Sequence, residues 1–143
     1  WKDQFLAQIE GQYDASRVHF TGTLPYEQFL PLLQLSACHV YLTYPFVMSW
    51  SLLEAMACGC AVVGSDTAPV REVIRHGSNG LLVDFFSPAD LASAVAELLR
   101  DRERAEAFGV EARRTVVRSY DLNVCVQRQL ALMDLVASSS INA

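Results

Sequence analysis

Hydrophobic positions along the chain fall into short apolar runs, separated by longer segments with a helical spacing. The runs are bounded by Gly or Pro and lack strict alternation with polar residues, which is typical of strands buried on both faces of a parallel sheet. The pattern predicts four strands, at 18–20, 40–43, 61–63 and 81–83. The last of these follows Asn79-Gly80, a dipeptide that favours a tight turn.

The segments between and after these runs repeat apolar residues every three or four positions, as amphipathic helices do. They predict helices at 26–35, 51–58, 69–76, from 88 to about 98, 105–116 and 122–136. Pro31 costs about 3 kcal/mol inside a helix, so we expect a break in the first of them. Gly59 is a typical C-terminal cap, and Ser87-Pro88 is a typical helix start.

Strands that alternate with helices predict an α/β domain with a parallel sheet and right-handed crossovers. Ligands of such sheets bind at the carboxyl ends of the strands. The loops that follow three of the predicted strands are 22–23, 44–51 and 64–68. We therefore expect these loops to share one rim and to contain any binding site.

The size and charge of the chain limit the classes of protein to which it can belong. It has 143 residues, of which 52% are hydrophobic and 19% charged, and a formal net charge of −5. This is the size of one domain with an ample core, which argues against a complete multidomain enzyme and against a disordered chain. The acidic balance and the scattered basic residues argue against nucleic acid as a partner. No apolar run approaches the roughly 20 residues of a membrane span, and no signal peptide is apparent.

The four cysteines, Cys38, Cys58, Cys60 and Cys125, lie among apolar residues rather than in a loop-rich scaffold. We interpret them as buried thiols, which predicts a reducing, cytoplasmic location. Cys58 and Cys60 flank a glycine, but no second cysteine pair and no nearby histidine completes a zinc site. A bound metal is therefore not expected.

The loop 44–51 joins a predicted buried strand directly to the start of a helix. Backbone N–H groups and the positive end of the helix dipole make such a junction a candidate anion site. The indication is weak alone, because every strand–helix unit has a helix N-terminus. The phosphate-binding motifs G-x-x-x-x-G-K-[ST] and G-x-G-x-x-G do not occur in the chain.

Glu54 has two interpretations. Ser51-Leu52-Leu53-Glu54 fits a capping box, in which Glu54 accepts a hydrogen bond from the Ser51 N–H and stabilises the helix by ~1 kcal/mol. Alternatively, the carboxylate lies at the rim and accepts hydrogen bonds from a diol such as a ribose. Spacing alone favours the cap, and the two roles compete for the same oxygens.

Three ordered stretches together resemble a known family. They are LEAMACGCAVV at 53–63, SDTAPVREVI at 65–74 and HGSNGLLV at 76–83. They resemble the nucleotide-sugar-binding half of the retaining GT-B glycosyltransferases of family 4, the group 1 glycosyl transferases, and the resemblance extends over about 18–136. It implies a Rossmann-like C-terminal domain that binds a nucleoside-diphosphate sugar, while a separate N-terminal domain binds the acceptor.

The chemistry that the resemblance implies is hexosyl transfer without a cofactor or a bound metal. Positive charge and helix-end amides stabilise the departing diphosphate, as in an oxyanion hole. Glu54 matches the second glutamate of the family's E-x7-E motif, which binds the donor ribose, and this favours the functional interpretation. The first glutamate is replaced by Phe46, and Val47 and Ser49 replace the glycines that follow it.

The remaining donor contacts are also implied by the match. The amides of Met48, Ser49 and Trp50 and the hydroxyl of Ser51 correspond to diphosphate contacts, although Trp50 could instead fill the core beneath the loop. Gly22 corresponds to a glycine near the nucleotide base, which a plain turn glycine explains equally well. The resemblance assigns no catalytic residue to this chain. The implied donor-binding set is Gly22, Phe46, Met48, Ser49, Trp50, Ser51 and Glu54.

The other polar residues considered are expected to have no catalytic role. Asp66-Thr67-Ala68 corresponds to a D-x-G-G-like turn of the family, in which Ala68 and Pro69 replace the glycines, and it is expected to line the rim. Glu72 is expected at the surface. His19, His39 and His76 have no partner at a spacing that suggests a catalytic triad.

The start of the chain also bears on its function. It opens at Trp1 without a Met, and the family's basic diphosphate-binding residues should precede Val18. We expect a fragment that lacks the first strands of its domain and the acceptor domain, and that catalyses nothing alone. The segment 121–137 resembles the family helix that crosses to the N-terminal domain. Its exposed apolar surface would favour self-association, and peripheral membrane association of the full enzyme is a further hypothesis.

Two other function classes remain open. A noncatalytic Rossmann-like interaction module would explain why Phe46 and Val47 stand where the family has polar or small residues. A nucleotide-sugar epimerase or isomerase of similar architecture is less favoured, because the acid/base pair that it needs has no visible counterpart.

Overall fold

The computed structural model describes residues 2–44 and 47–141. Within these ranges the chain forms three strands, seven α-helices and one 3-10 turn. Their order is α1 Lys2–Gln8, the 3-10 turn Ala15–Arg17, α2 Tyr26–Leu35, β1 His39–Tyr41, α3 Trp50–Ala57, β2 Val62–Ser65, α4 Ala68–Arg71, β3 Leu81–Val83, α5 Pro88–Arg100, α6 Arg102–Tyr120 and α7 Leu122–Ile141.

The three strands form one parallel sheet in the order β1-β2-β3, with β2 in the middle. Val62 and Val63, both fully buried, point to opposite faces of β2. Val62 packs in a core with residues of α2, α3 and α6, whereas Val63 packs with residues of α5 and the start of α6. Helices therefore cover both faces, and the predicted α/β fold is confirmed.

The predicted strand at 18–20 is wrong. Val18 ends the 3-10 turn, where its N–H donates to the Ala15 carbonyl at 3.4 Å, and residues 18–20 join no strand ladder. Val18 and Phe20 are 41% and 55% exposed. A strand needs a neighbour that pairs with its backbone, and within the described ranges the sheet ends at β1 on this side.

The expected break at Pro31 is also wrong, because α2 continues through it from Tyr26 to Leu35. Proline removes the N–H that would reach the Glu27 carbonyl. Both residues are exposed, and a hydrogen bond lost at the surface costs less than one lost in the core. Burial of Leu33 in the core holds the second half of α2 against α3.

Helix α4 is shorter than predicted and ends at Arg71. The reason is Asn79, whose side chain is buried and bonds the backbone of the segment that would have continued the helix. Its amide donates to the Val73 carbonyl at 2.9 Å, and its oxygen accepts from the Arg75 N–H at 2.7 Å. These bonds fold residues 72–79 into a tight turn that leads into β3.

The C-terminal end of α3 is fixed by two glycines. Gly59 has φ +80°, which confirms the predicted left-handed cap after Ala57. Gly109 in the middle of α6 lies directly against it, since a Cβ built on Gly109 would be 2.1 Å from the Gly59 carbonyl oxygen. The close approach of α6 to this turn holds α3 against the sheet, and so positions the N-terminus of α3.

Candidate functional site

The carboxyl ends of the three strands are joined at one edge of the sheet. The Ser65 hydroxyl at the end of β2 accepts from the Thr43 N–H at 2.9 Å and donates to the Thr43 carbonyl at 2.8 Å. The Asp66 N–H donates to the Val83 carbonyl of β3 at 2.7 Å. The loops that follow β1 and β2 therefore share one rim, as predicted, and the loop after β3 joins them. The third predicted loop, 22–23, follows no strand.

Ser49 caps the helix that follows the first of these loops. Its hydroxyl oxygen accepts from the Ser51 N–H at 3.3 Å, and Ser51 Oγ lies 3.0 Å from it. The capping box predicted for Ser51 and Glu54 is therefore wrong, because the helix begins one residue earlier and the Ser51 N–H has another acceptor. Glu54 is thereby released from the capping role.

The loop is anchored to the sheet through Tyr41. The Ser49 N–H donates to the Tyr41 hydroxyl at 2.8 Å. One of the three amides that the resemblance implies for diphosphate contact is thus occupied, whereas Met48 is half-buried on the core side of the loop. An anion at this helix end would meet the Trp50 amide and the Ser51 hydroxyl more readily than the Ser49 amide.

Trp50 lies at the first position of α3 and is 82% exposed. The alternative in which Trp50 fills the core is therefore wrong. Its side chain instead lines an apolar groove of about 390 Å³ between the start of α3 and the junction of α6 with α7. The other lining residues are Met48, Leu53, Tyr120, Leu122 and Cys125.

Glu54 is half-buried on α3 and faces the start of α2. Its neighbour there is Tyr26, which is 58% exposed. Partial desolvation raises the pKa of the Tyr26 phenol, and the charge of Glu54 and a hydrogen bond to it raise that pKa further. Spacing along the chain could not reveal this pair, because 27 residues separate Tyr26 from Glu54.

Asp66 and Arg71 form a bidentate ion pair at the rim. Arg71 Nε and Nη2 donate to the two carboxylate oxygens of Asp66 at 2.5 and 2.8 Å. The hydrogen bond from Arg71 lowers the pKa of the Asp66 carboxyl, and the same bond raises the pKa of Arg71. The sequence pattern predicts Asp66 at the rim but not Arg71, the basic side chain that binds it.

A cluster of three aromatic rings also lies at the rim and was missed. The Tyr44 ring centroid is 5.3 Å from that of Phe85 and 4.8 Å from that of Phe86. Tyr44 follows β1, whereas the two phenylalanines follow β3, so the contact depends on the sheet order. The sequence hint was the pair Phe85-Phe86, which begins two residues after the end of a predicted strand. We call these three residues the aromatic cluster.

The cysteines differ in exposure. Cys60 is buried, and its thiol donates to the Leu33 carbonyl with a sulfur–oxygen distance of 2.9 Å. Burial raises its pKa to about 11. Cys38 and Cys58 are half-buried, and Cys125 is exposed beside Trp50. The prediction of buried thiols is therefore wrong for Cys125, because α7 lies on the surface.

His39, His76 and Glu72 take no part in the hydrogen bonds that join this rim. His39 begins β1 at the opposite edge, and burial lowers its pKa. His76 Nδ1 accepts from the Leu82 N–H at 3.0 Å, a structural role, and Glu72 is exposed, as predicted.

Gly22 and Phe46 are the remaining implied donor contacts. Gly22 has φ +63°, and a Cβ built there would meet no atom within 4 Å, as in an ordinary turn glycine. Phe46 lies outside the described residues. Across the ranges 2–44 and 47–141, no three His, Cys, Asp or Glu side chains are grouped to hold a metal ion. Nor is any helix of the described chain both long and apolar enough to cross a membrane.

The chain belongs to the family of glycosyl transferases group 1. The model of this family matches residues 1–115. The match covers the sheet, the rim and the helices α1 to α5 and most of α6.

Characterised relatives agree with this assignment. The chain is 43% identical over 91 residues to the phosphatidyl-myo-inositol mannosyltransferase of Mycobacterium leprae, covering 62% of this chain and 23% of the relative. It is 30% identical over 115 residues to the N-acetyl-alpha-D-glucosaminyl L-malate synthase of Bacillus anthracis, covering 80% and 30%. The chain thus spans less than a third of the length of these relatives.

Solved structures share the fold. The sucrose-phosphate synthase of Thermosynechococcus elongatus superposes with a TM-score of 0.81 at 23% identity, covering 96% of this chain and 35% of that one. Anabaena HepE in complex with UDP-glucose gives the same TM-score at 22% identity, covering 96% and 37%. Both likenesses establish the fold.

Proposed function

We propose that this chain is the C-terminal, donor-binding domain of a retaining GT-B glycosyltransferase of family 4. The observation that carries the proposal is the position of α3, whose capped N-terminus and half-buried Glu54 lie at the carboxyl edge of the sheet. Because the chain belongs to a glycosyltransferase family, we interpret this geometry as a nucleotide-sugar site. The activity is transfer of a hexose from a nucleoside-diphosphate sugar to an acceptor bound by another domain.

The N-terminus of α3 is the proposed diphosphate site. The Trp50 amide and the positive end of the helix dipole favour a negative group, and Ser51, whose hydroxyl is the second proposed contact, is half-buried. Because charge accumulates on the diphosphate as the glycosidic bond breaks, fixed dipoles aimed at it stabilise the transition state more than the ground state. No metal is needed for this role.

Glu54 is the proposed ribose ligand. It lies one helical turn beyond the cap, and its carboxylate accepts hydrogen bonds from the hydroxyls of a diol. The Tyr26 phenol lies near this carboxylate, since the charge of Glu54 raises the pKa of the phenol. A nucleotide would share Glu54 with Tyr26 or displace it.

The names of the relatives narrow the donor class. One is a mannosyltransferase, and a structure of another protein of the same fold contains UDP-glucose. We infer a nucleoside-diphosphate hexose for this chain. All four cysteines are free thiols, and Cys60 is buried. Free thiols support a location of the protein in a reducing compartment.

The proposed partner is an acceptor-binding domain. The groove at Trp50 and the exposed apolar side chains of α7 offer it a surface. The same exposed Trp50 favours a second candidate, a noncatalytic interaction module that has kept the fold. Nucleotide binding distinguishes the two functions, because only the first needs Glu54.

The test is a titration of UDP-, GDP- and ADP-hexoses onto the chain, observed by ligand NMR. We expect weak binding by at least one donor, and Glu54→Ala should weaken it about tenfold, the effect of losing hydrogen bonds to a charged group. Glu72→Ala, which removes an exposed carboxylate of the same type, is the matched control. If no donor binds, or if Glu54→Ala binds as well as the parent, the donor-domain proposal fails.

The isolated chain is expected to transfer no sugar, since the acceptor-binding domain is a separate unit. Incubation with a radiolabelled donor and candidate acceptors tests this. Measurable transfer would contradict the division of roles between two domains.

A further inference from the structure

The hydroxyl of Tyr41 lies at the N-terminus of α3. Tyr41 is the last residue of β1, so its backbone is at the carboxyl edge of the sheet. The residue is 9% exposed and belongs to the core that contains the buried side chains of α3. Its oxygen accepts from the N–H of Ser49, the N-cap residue of α3, at 2.8 Å. A buried side chain of the sheet therefore ends at the helix terminus proposed above as the diphosphate site.

This hydroxyl has a proton that no described residue accepts. A phenol can accept one hydrogen bond and donate another at the same time. Across 2–44 and 47–141, the Tyr41 hydroxyl takes part only in the bond from Ser49, and there it is the acceptor. Buried donors in proteins are almost always paired, because an unpaired donor costs the free energy of its lost hydration. The Tyr41 O–H therefore needs an acceptor, which water or a ligand at the rim supplies.

The electrostatic surroundings favour an anionic acceptor. The positive end of the α3 dipole lies at this terminus. The Ser49 and Ser51 N–H groups donate to hydroxyl oxygens, so neither is neutralised by a carboxylate. A hydroxyl that accepts from an N–H becomes a stronger donor, because linked hydrogen bonds polarise one another. A phosphate oxygen suits this position better than a neutral acceptor does.

The phenol and an anion cannot both accept the single Ser49 hydrogen. The family resemblance implies a diphosphate contact for this amide, yet Tyr41 occupies it. To free the amide, Tyr41 would have to leave the core in which it is buried. A relay keeps that burial, since the amide donates to the phenol and the phenol donates to the ligand.

We propose that Tyr41 is a further diphosphate ligand, which passes the contact of the Ser49 amide to the donor through its own O–H. The identity of the ligand rests on the proposed function. Binding of a diphosphate group at Tyr41 does not need Glu54, so the two proposals can fail independently.

The first test is an NMR titration of the isotope-labelled 143-residue chain with inorganic pyrophosphate. The backbone amide signals of Ser49 and Trp50 should shift as pyrophosphate is added. Tyr41→Phe, which removes only the hydroxyl, should weaken binding about tenfold, the effect of one hydrogen bond to a charged group. Tyr13→Phe removes the hydroxyl of another partly buried tyrosine and should bind as the parent does.

Three results of this titration overturn the proposal. The first is a parent that does not bind pyrophosphate, and the second is unchanged binding by Tyr41→Phe. The third is tighter binding by Tyr41→Phe, which would show that the phenol blocks the Ser49 amide. A merely structural role would also weaken uridine, which is expected to bind Glu54 on the same helix. Uridine should therefore bind the parent and Tyr41→Phe equally, and an equal loss of both ligands contradicts the proposal.

A second measurement needs no variant and so does not depend on the folding of Tyr41→Phe. In a chain labelled at the tyrosine Cζ, the carbon that bears the hydroxyl, pyrophosphate should shift the Tyr41 signal because its O–H changes partner. The Tyr13 signal should stay in place. If the Trp50 amide shifts while the Tyr41 Cζ does not, the anion binds without the phenol and the proposal is wrong.

Nucleotide sugars separate this proposal from the donor function. Pyrophosphate binding that depends on Tyr41, without binding of any UDP-, GDP- or ADP-hexose, supports the Tyr41 site and removes the donor function. Binding of a nucleotide hexose that depends on Glu54 but is equal in Tyr41→Phe retains the donor function and overturns the role of Tyr41.

Discussion

Single residues at the rim interact with partners that are distant in sequence. Ser49 binds Tyr41 and Ser65 binds Thr43, and the charge of Glu54 raises the pKa of Tyr26. Spacing rules predicted Glu54 as a functional or capping residue, but they describe only neighbours within a turn. The true cap at Ser49 differs from the prediction by two residues, and that shift decides whether the carboxylate is available for a ligand.

The buried thiol of Cys60 makes stability depend on pH at the alkaline end. Its folded pKa of about 11 lies above the unfolded value near 8.5. The folded state therefore holds a proton that the unfolded state loses, so this contribution is complete below about pH 8.5 and is lost as pH rises toward 11. Urea unfolding should show a loss of up to about 3 kcal/mol for the parent across this window.

Cys60→Ala isolates that effect, since it removes the titrating group and leaves the other ionisable residues. We expect the variant to be less stable at neutral pH because of the lost contact, but to lose less free energy of unfolding between pH 8 and pH 10.5. Cys125→Ala, at an exposed thiol, should follow the parent. If the free energy of unfolding falls equally with pH in the parent and in Cys60→Ala, then burial of this thiol does not cause the pH dependence.

Helices and strands were predicted well where local pattern and burial agree. The C-terminal end of α3 follows from Gly59, and the positions of β2 and β3 follow from apolar runs that are buried in the sheet. The 18–20 segment has a strand-like composition, but a segment becomes a strand only where a neighbouring strand pairs with its backbone. Likewise α4 ends early because Asn79 binds its backbone from outside the helix.

Contact between α3 and α6 depends on the absence of a side chain at Gly109. Alanine usually stabilises a helix interior by about 1 kcal/mol relative to glycine. Here the alanine Cβ would lie 2.1 Å from the Gly59 carbonyl oxygen. The backbone of α6 or that of the turn at Gly59 would therefore have to move. We expect Gly109→Ala to destabilise the chain by about 2 kcal/mol or more, the range for overpacked cores.

Thermal and urea unfolding measure this change. Val110→Ala, at the exposed neighbouring position of α6, is the control and should change stability by less than about 0.5 kcal/mol. Because α6 holds the helix that contains Glu54, Gly109→Ala should also weaken nucleotide binding. A stabilised Gly109→Ala variant would show that the two helices are not in close contact.

At the scale of the whole molecule, the fold and the general location of the site could be predicted, whereas the surface could not. The resemblance identified the rim through Glu54 and the strand–helix order. The aromatic cluster and the groove at Trp50 depend on which strand ends and helix ends meet, which one chain's pattern does not specify. Residues that bind partners also lack the regular burial that makes core positions predictable.

The apolar surface of α7 determines how the chain behaves in solution. Leu122, Val126, Leu130 and Met133 recur every three or four residues and are 42% to 75% exposed. An exposed stripe of this kind favours association, because burying it against a second copy removes apolar area from water. We therefore expect the 143-residue chain to self-associate as its concentration rises.

Sedimentation velocity over a range of concentrations tests this expectation. Replacing Leu130 and Met133 together by Lys should keep the chain monomeric, since two charges would be buried in the contact. Leu35→Lys is the control, because Leu35 is 85% exposed at the end of α2 and outside the stripe. If the parent is monomeric throughout, or if Leu35→Lys disperses it equally, then α7 is not the surface through which copies associate.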